Sequence, residues 1–340
     1  HLTIARFLKL RDGKGANLAM RYHMLQAMEE SEALIRVGKA RVFAELTPAQ
    51  KAQIVSLIRL SGHIVGYIGD GVNDVPALTS ADVGIVVDSA AAESKKVADL
   101  VLLERDLGVV AEGVSEGRTS FANASKYIRI ASSSNFGNIC SVAASSIFLP
   151  FVPATATQLL LLNLCYDATC LALSWDNVDD AEIARPRAWS GKGLGSFMLH
   201  FGFASSAFDI ITFAILFLGV CPAVCGAPFA ALDAAGRAAF IATFQAGWLL
   251  ECAWTESLVL LVLRTRSVRD GDRPCTPLVV MVAVMLVVTA LLALSPVAQL
   301  FGLATLPVWY LGIVALLSVL YLVVASTIKR VYLARSSSLF

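Results

Sequence analysis

The chain has 340 residues, of which 57% are hydrophobic and only 16% charged, and its mean hydropathy is +0.70. Ordinary soluble domains carry about 25% charged residues, so a purely soluble protein is excluded. A net charge of +1 leaves no basic footprint for nucleic acid, and no nucleic-acid partner is expected.

The charge is unevenly spread. Residues 1–130 hold 31 of the 53 charged side chains, which puts a soluble head first and a membrane part second. Residues 1–39 form a poorly defined, helix-like N-terminal segment. Its Gly13-Lys14-Gly15-Ala16 run lacks the spacing of a phosphate-binding loop and reads as a solvated turn. Residues 2–21 are studded with Arg and Lys and lack the apolar stretch of a secretory leader, so insertion is expected to rest on later spans.

From residue 40 to 106 the pattern alternates as in an open α/β sheet. Residues 41–46 are predicted as a strand. A helix to about Leu60 follows, opened by Thr47 as N-cap and Pro48 in the first turn. Further strands are predicted at 63–68, 83–87 and 100–103, with helices at 76–80 and 91–98. Residues 107–130 read as one long stalk helix, assigned to 107–132. No Gly/Pro-rich linker separates it from the membrane part, so motion in the head is expected to pass through it.

Six apolar stretches follow, each near the ~20 residues a helix needs to cross a hydrocarbon core. They are predicted at 133–149, 154–175, 197–220, 240–263, 277–294 and 307–328, an all-α six-helix bundle over 133–328 with a tail at 329–340. Pro150-Phe151-Val152-Pro153 joins the first two as a tight hairpin. Arg185, Arg187, Lys192, Arg264, Arg266, Arg269, Arg273, Lys329, Arg330 and Arg335 fall in loops on one side, against Arg237 on the other. That bias orients head and tail toward the cytoplasm. Cys221-Pro-Ala-Val-Cys225 reads as small apolar residues at a membrane boundary rather than a metal or disulfide pair.

Inside the spans lie Asp167, Asp209, Glu251 and Glu256, with no Lys or Arg beside them. Each mid-membrane charge costs roughly 2.5–3.5 kcal/mol, so protonation, water or a bound cation must compensate. Asn163 and Asp167 are four apart and share a helix face, and Asn135 and Asn138, three apart, share another. Carboxylate and amide oxygens are the ligands that hard cations prefer. Asn135, Asn138, Asn163 and Asp167, with Asp209, Glu251 and Glu256, are therefore the candidate ligands of a transported cation.

The most specific run is Gly69-Asp70-Gly71-Val72-Asn73-Asp74-Val75-Pro76-Ala77-Leu78, at the C-terminal end of a strand expected to be buried. This is where open α/β sheets bind ligands. Asp70 and Asp74 suit a catalytic Mg²⁺. Gly69 and Gly71 let the backbone approach the ligand. Lys51 supplies positive charge for a phosphoryl group.

This run resembles the hinge motif of P-type ATPases, and Thr47-Pro48-Ala49-Gln50-Lys51 is similar to that family's lysine region. The resemblance implies a partial haloacid dehalogenase-like Rossmannoid head, an α/β domain ahead of the helical bundle. It also implies Mg²⁺ and ATP as cofactors, the ATP held mainly by another domain. Asp70 would coordinate Mg²⁺, Asn73 and Asp74 would hold the phosphorylated site, and Lys51 would contact phosphoryl oxygens. Ile68 stands where many members have Thr. Leu173-Ser174-Trp175-Asp176-Asn177-Val178-Asp179-Asp180, Arg185-Pro186, Phe208-Asp209-Ile210 and Arg264-Thr265-Arg266 resemble the magnesium-transporting subgroup.

The family's Asp-Lys-Thr-Gly-Thr run does not occur in these 340 residues, and the first residue is His. The expectation is the C-terminal portion of a magnesium pump in the plasma (inner) membrane. It would contact lipid, depend on a missing N-terminal part, and be unable alone to form an aspartyl-phosphate. The alternatives are a truncated, inactive or regulatory membrane protein and, further off, a secondary transporter or channel.

Overall fold

A computed structural model describes residues 42–335, apart from 105, 185, 188, 190, 192 and 266–272. The N-terminal segment 1–39, Arg41, and the loop charges Arg185, Lys192, Arg266 and Arg269 lie outside the described residues. The chain divides into two compact units, the first ending at Glu112 and the second starting at Gly113.

In the first unit, α1 (Pro48–Leu60) begins with a reciprocal cap: the Thr47 hydroxyl accepts from the Gln50 N–H, and the Gln50 amide oxygen accepts from the Thr47 N–H at 2.9 Å. Three strands, β1 (Gly66–Gly69), β2 (Val83–Val87) and β3 (Leu100–Leu102), form a parallel sheet in that order. The register sets Ile68 against Ile85 and Val86 against Val101. Helices α2 (Val75–Ser80) and α3 (Ala92–Val97) are the crossovers. Ala77 and Leu78 of α2 and Ile85 and Val86 of β2 form its core.

Two expectations are corrected here. Residues 42–46 form no strand: they pair with nothing among the described residues, and Glu45 has φ 56°, which breaks an extended run. Among the described residues β1 is therefore an edge strand rather than a buried one, and Ile68 is 42% exposed.

In the second unit, five helices are long and apolar enough to cross a membrane. They are built on α5 (Ala156–Leu171), α6 (Leu194–Ile215), α7 (Ala234–Leu263), α8 (Thr276–Leu294) and α9 (Tyr310–Arg335). The expected first span, 133–149, is not among them. It falls on the end of α4 (Leu107–Ser145), a 39-residue helix that stops before Leu149. Its Ser132-Ser133-Ser134-Asn135 and Asn138 lower its apolarity below that of the others.

α7 is the central helix: it is buried far more completely than its neighbours although it is less apolar than α6, α8 and α9, and it keeps Gln245, Glu251, Thr255 and Glu256 inside the bundle. Helices α5, α6, α8 and α9 pack against it. One cluster gathers Phe213, Phe240, Phe244, Trp248 and Tyr310; another gathers Ile130, Phe197, Phe201, Leu260 and Tyr332. α6 continues as a wide π turn over Leu216–Val220, and Leu216 lies over Gly247, where a Cβ would come within 2.4 Å of the Leu216 side chain.

Candidate functional site

In the first unit the strand end, α1 and the loop after β1 meet around Asp74. This carboxylate is 8% exposed and fully engaged. Its Oδ1 accepts from Lys51 Nζ at 2.7 Å and from the Tyr67 hydroxyl at 2.8 Å. Its Oδ2 accepts from the N–H groups of Asp70 and Gly71 at 3.3 and 3.4 Å. Burial opposes ionisation of Asp74, but the Lys51 ammonium, Tyr67 hydroxyl and Gly71 N–H outweigh it and hold its pKa below the ordinary carboxylate value. The hydrogen bond to Asp74 raises the Lys51 pKa. Burial, followed by the hydrogen bond to Asp74, raises that of Tyr67.

Gly69 is demanded by this arrangement, since a Cβ there would sit 2.6 Å from Asp74 Cβ. Gly71 is not: its added Cβ would meet nothing nearer than 3.9 Å. The loop is tied down from α3, where the Ser94 hydroxyl donates to Gly71 O at 2.8 Å and the Ala91 N–H donates to Asp70 O. Lys51, Tyr67, Gly69, Asp70 and Asp74 line a cavity of about 400 Å³. The Asp70 carboxylate is exposed on its rim and accepts no hydrogen bond from any described residue. Asn73 is exposed and outside that lining. The cavity thus has Asp74 engaged with Lys51, Asp70 available on its rim, and a third carboxylate in its lining, Asp106, which accepts from the Gly108 N–H at 2.8 Å. Tyr67 was not anticipated; its alternation with Ile68 along β1, which sets it on the same face as Gly69, was the available signal.

In the second unit, three of the candidate acids gather where α4, α6 and α7 meet. Asp209 accepts from the Ser141 hydroxyl, from Trp248 Nε1 at 2.9 Å and from the Cys252 thiol at 3.4 Å. Glu256 accepts from Asn138 Nδ2 at 2.9 Å. Glu251 is buried beside them, and ligand atoms of Asp209, Glu251 and Cys252 lie within 4.8 Å of one another. The hydrogen-bond donors reaching Asp209 and Glu256 are all neutral side chains. Asn138 Oδ1 is buried and has no hydrogen-bond partner among the described residues.

α4 approaches α6 closely because both surfaces are small. A Cβ on Gly202 would meet Phe136 at 2.7 Å and Ser133 O at 3.1 Å, and Ser206 donates to Gly137 O. The sequence placed Asn135, Asn163 and Asp167 in the same constellation, but no hydrogen bond among the described residues joins them to the buried acids. Asn135 and Asp167 are exposed and Asn163 is half-buried. Asp167 accepts from the Tyr127 hydroxyl at 3.2 Å and lines a cleft of about 600 Å³ with Ser120, Asn123 and Ser174. Ser141, Trp248 and Cys252 were not anticipated, since neutral partners carry no sequence signature of their own.

A second polar cluster was also unforeseen. Asp176 is fully buried and accepts from Lys126 Nζ at 3.0 Å and from Arg264 Nε at 2.7 Å, with both cations at most 3% exposed. Asn123 donates to Asp176 O, and the Cys275 N–H reaches Asp176 Oδ1 at 3.3 Å. Arg264, expected as a solvated loop charge, is therefore an internal one. Lys329 likewise donates to the carbonyls of Val262 and Thr265.

An apolar helical bundle following a small parallel α/β sheet has the make-up of an integral membrane protein. The chain belongs to the cation-transporting ATPases: residues 151–331 match the family described as "Cation transporting ATPase, C-terminus". It is 41% identical over 287 residues to "Magnesium-transporting ATPase, P-type 1" of Salmonella typhimurium strain LT2, covering 84% of this chain and 30% of that protein. The protein of the same description from Escherichia coli K12 is 39% identical over 288 residues, with the same coverage. "Endoplasmic reticulum calcium ATPase srcA" of Aspergillus fumigatus is 34% identical over 175 residues, 51% of this chain and 18% of that one. The chain thus spans about 30% of the length of the magnesium-transporting relatives it matches.

Proposed function

We propose that this chain is the membrane half, with the end of the phosphorylation domain, of an ATP-driven pump that moves Mg²⁺ through a six-helix bundle in the plasma membrane. The observation that carries the reading is the buried set Asp209, Glu251, Glu256 and Asn138, whose hydrogen-bond donors are neutral and whose Asn138 oxygen lacks a partner. Uncompensated oxygens in an apolar bundle attract a desolvated divalent cation. Asp167, with Asn163 on the same helix, lines the cleft beside α4 and would receive the ion on its way to the buried acids. α4 supplies the sixth crossing, and its lack of a break from Leu107 to Ser145 supports the transfer of head movements to Asn138 and Ser141.

In the head, Asp74 holds Lys51 at the cavity, where its ammonium meets phosphoryl oxygens. The exposed Asp70 fits a Mg²⁺ that keeps most of its waters, the usual manner of binding for that ion. Bound there, Mg²⁺ would neutralise charge on the phosphoryl oxygens. The Asp70 and Gly71 N–H groups and Tyr67 keep Asp74 ionised, and with it the charge on Lys51. Asn73, at the loop's outer side, would close over the phosphorylated residue when that residue is presented from elsewhere in the pump.

The test joins this chain to the preceding part of the Salmonella relative and measures Mg²⁺-stimulated ATP hydrolysis in membranes. The fused protein is expected to form a hydroxylamine-sensitive phosphoenzyme, and the 340 residues alone are expected to form none. Glu256→Gln in the fused protein should lower cation-stimulated hydrolysis at least about tenfold. Unchanged hydrolysis would remove Glu256 from the ion path, and absence of phosphoenzyme from the fused protein would favour an inactive or regulatory membrane protein.

A further inference from the structure

We propose that Cys252, together with Asp209 and Glu251, forms a coordination site for a thiophilic divalent cation of the zinc class. The site shares two carboxylates with the Mg²⁺ path above, so its consequence, blockage of that path, rests on that reading; the binding itself does not.

The geometry argues for it. A tetrahedral ion with metal–sulfur and metal–oxygen bonds of about 2.3 and 2.1 Å sets sulfur and oxygen about 3.6 Å apart. The Cys252 sulfur lies 3.4 Å from Asp209 Oδ1 and 3.9 Å from Glu251 Oε2. All three residues are buried and held by helix packing: Trp248 and Ser141 fix Asp209, and Cys252 is a free thiol. The cluster contains no Lys or Arg to neutralise its acids.

An independent observation lies one helical turn away. Glu256 is four residues beyond Cys252 and is bonded to Asn138, whose buried Oδ1 has no donor. Asn138 in turn is three residues before Ser141, the Asp209 partner, so both lie on the same side of α4. Hard Mg²⁺ gains little from sulfur, whereas zinc-class ions bind thiolate strongly. Binding forms the metal–sulfur bond and releases the thiol proton to water.

The test uses the whole chain in lipid nanodiscs, with Cys252 as its sole cysteine, titrated with Co²⁺ as a chromophoric stand-in for Zn²⁺. A thiolate-to-cobalt charge-transfer band saturating at one equivalent and removed by Zn²⁺ is expected. Asp209→Asn and Glu251→Gln should each weaken Co²⁺ binding at least about tenfold. No band, or a band indifferent to both substitutions, overturns the proposal. If the sole-cysteine chain misfolds by circular dichroism, the unmodified chain is compared with Cys252→Ser, which must lose one equivalent of the band. Excess Mg²⁺ separates the two ideas: displacement of Co²⁺ supports a shared path, while a zinc-displaceable band untouched by Mg²⁺ keeps the thiol site and refutes the Mg²⁺ assignment of these acids.

Discussion

Replacing Asp176 by Asn tests whether the buried cluster between α4, the loop after α5 and the end of α7 is a lock. The carboxylate accepts from Lys126 Nζ at 3.0 Å and from the single Arg264 Nε–H, shared between its two oxygens at 2.8 and 2.7 Å. Asn keeps the volume but removes the carboxylate that both cations contact, so two buried cations are left facing one amide. Removing one partner of a buried pair costs about 3–5 kcal/mol, because the charge left behind is not resolvated. Lys126→Met should cost less: Asp176 retains Arg264, the Asn177 carbonyl still accepts from Arg264 Nη2 at 3.3 Å, and what is stranded is one carboxylate lone pair. The assay is reversible unfolding in mixed micelles, followed by tryptophan fluorescence through buried Trp248. The expected order is wild type, then Lys126→Met, then Asp176→Asn, with the last at least 3 kcal/mol below the first. An Asp176→Asn protein within about 1 kcal/mol of wild type would falsify the lock, as would a Lys126→Met protein that is the less stable of the two.

Two further outcomes follow from the head. The Asp74 pKa is depressed and that of Lys51 is raised. The Asp74 contribution is therefore present above its ordinary value of 3.8 and lost as pH falls through the lower folded value, and that of Lys51 persists up to its ordinary 10.5 and is lost only above it. Their coupling in a Lys51→Gln/Asp74→Asn cycle, about 1 kcal/mol or less for so open a pair, should be flat from pH 5 to 9 and decline below pH 3.8 when read by amide exchange over residues 66–87. Gly69→Ala should loosen the same amides by about 1–3 kcal/mol, since its Cβ collides with Asp74. Gly71→Ala should leave them unchanged, and equal effects of the two would show that Gly69 is not packed against Asp74.

Much of the head was legible because local chemistry decides it. Thr47, Pro48 and Gln50 specify where α1 starts, and the unbroken apolar run Val83-Gly84-Ile85-Val86-Val87 specifies the central strand. The motifs named Lys51 and Asp74 as parts of one site without foretelling their direct contact, and the failure of 42–46 to become a strand was not legible at all. A strand exists only with a neighbour, and neighbours are not written into six residues. The same limit governs the charges. Arg264 and Lys329 read as loop charges because they follow apolar runs, yet Asp176 and backbone carbonyls draw both inside. Eight of the ten charges used to orient the bundle remain available to that argument.

The membrane acids show a subtler limit. Asp167 stood out in sequence because Asn163 accompanies it on one helix, yet helical spacing reports a shared face and says nothing of what that face meets. Asp209 and Glu256 had no same-helix companion and gained theirs across helices, from Ser141, Trp248 and Asn138. Those companions explain why hydropathy passes over the end of α4. Ser133, Gly137, Asn138 and Ser141 are polar or small because they touch α6 and the acids, and all four are buried. A helix that gives its inward side to a polar site and its small residues to close packing has little apolarity left to count. The stretch least recognisable as a membrane span is for that reason the one most closely engaged with the proposed ion path.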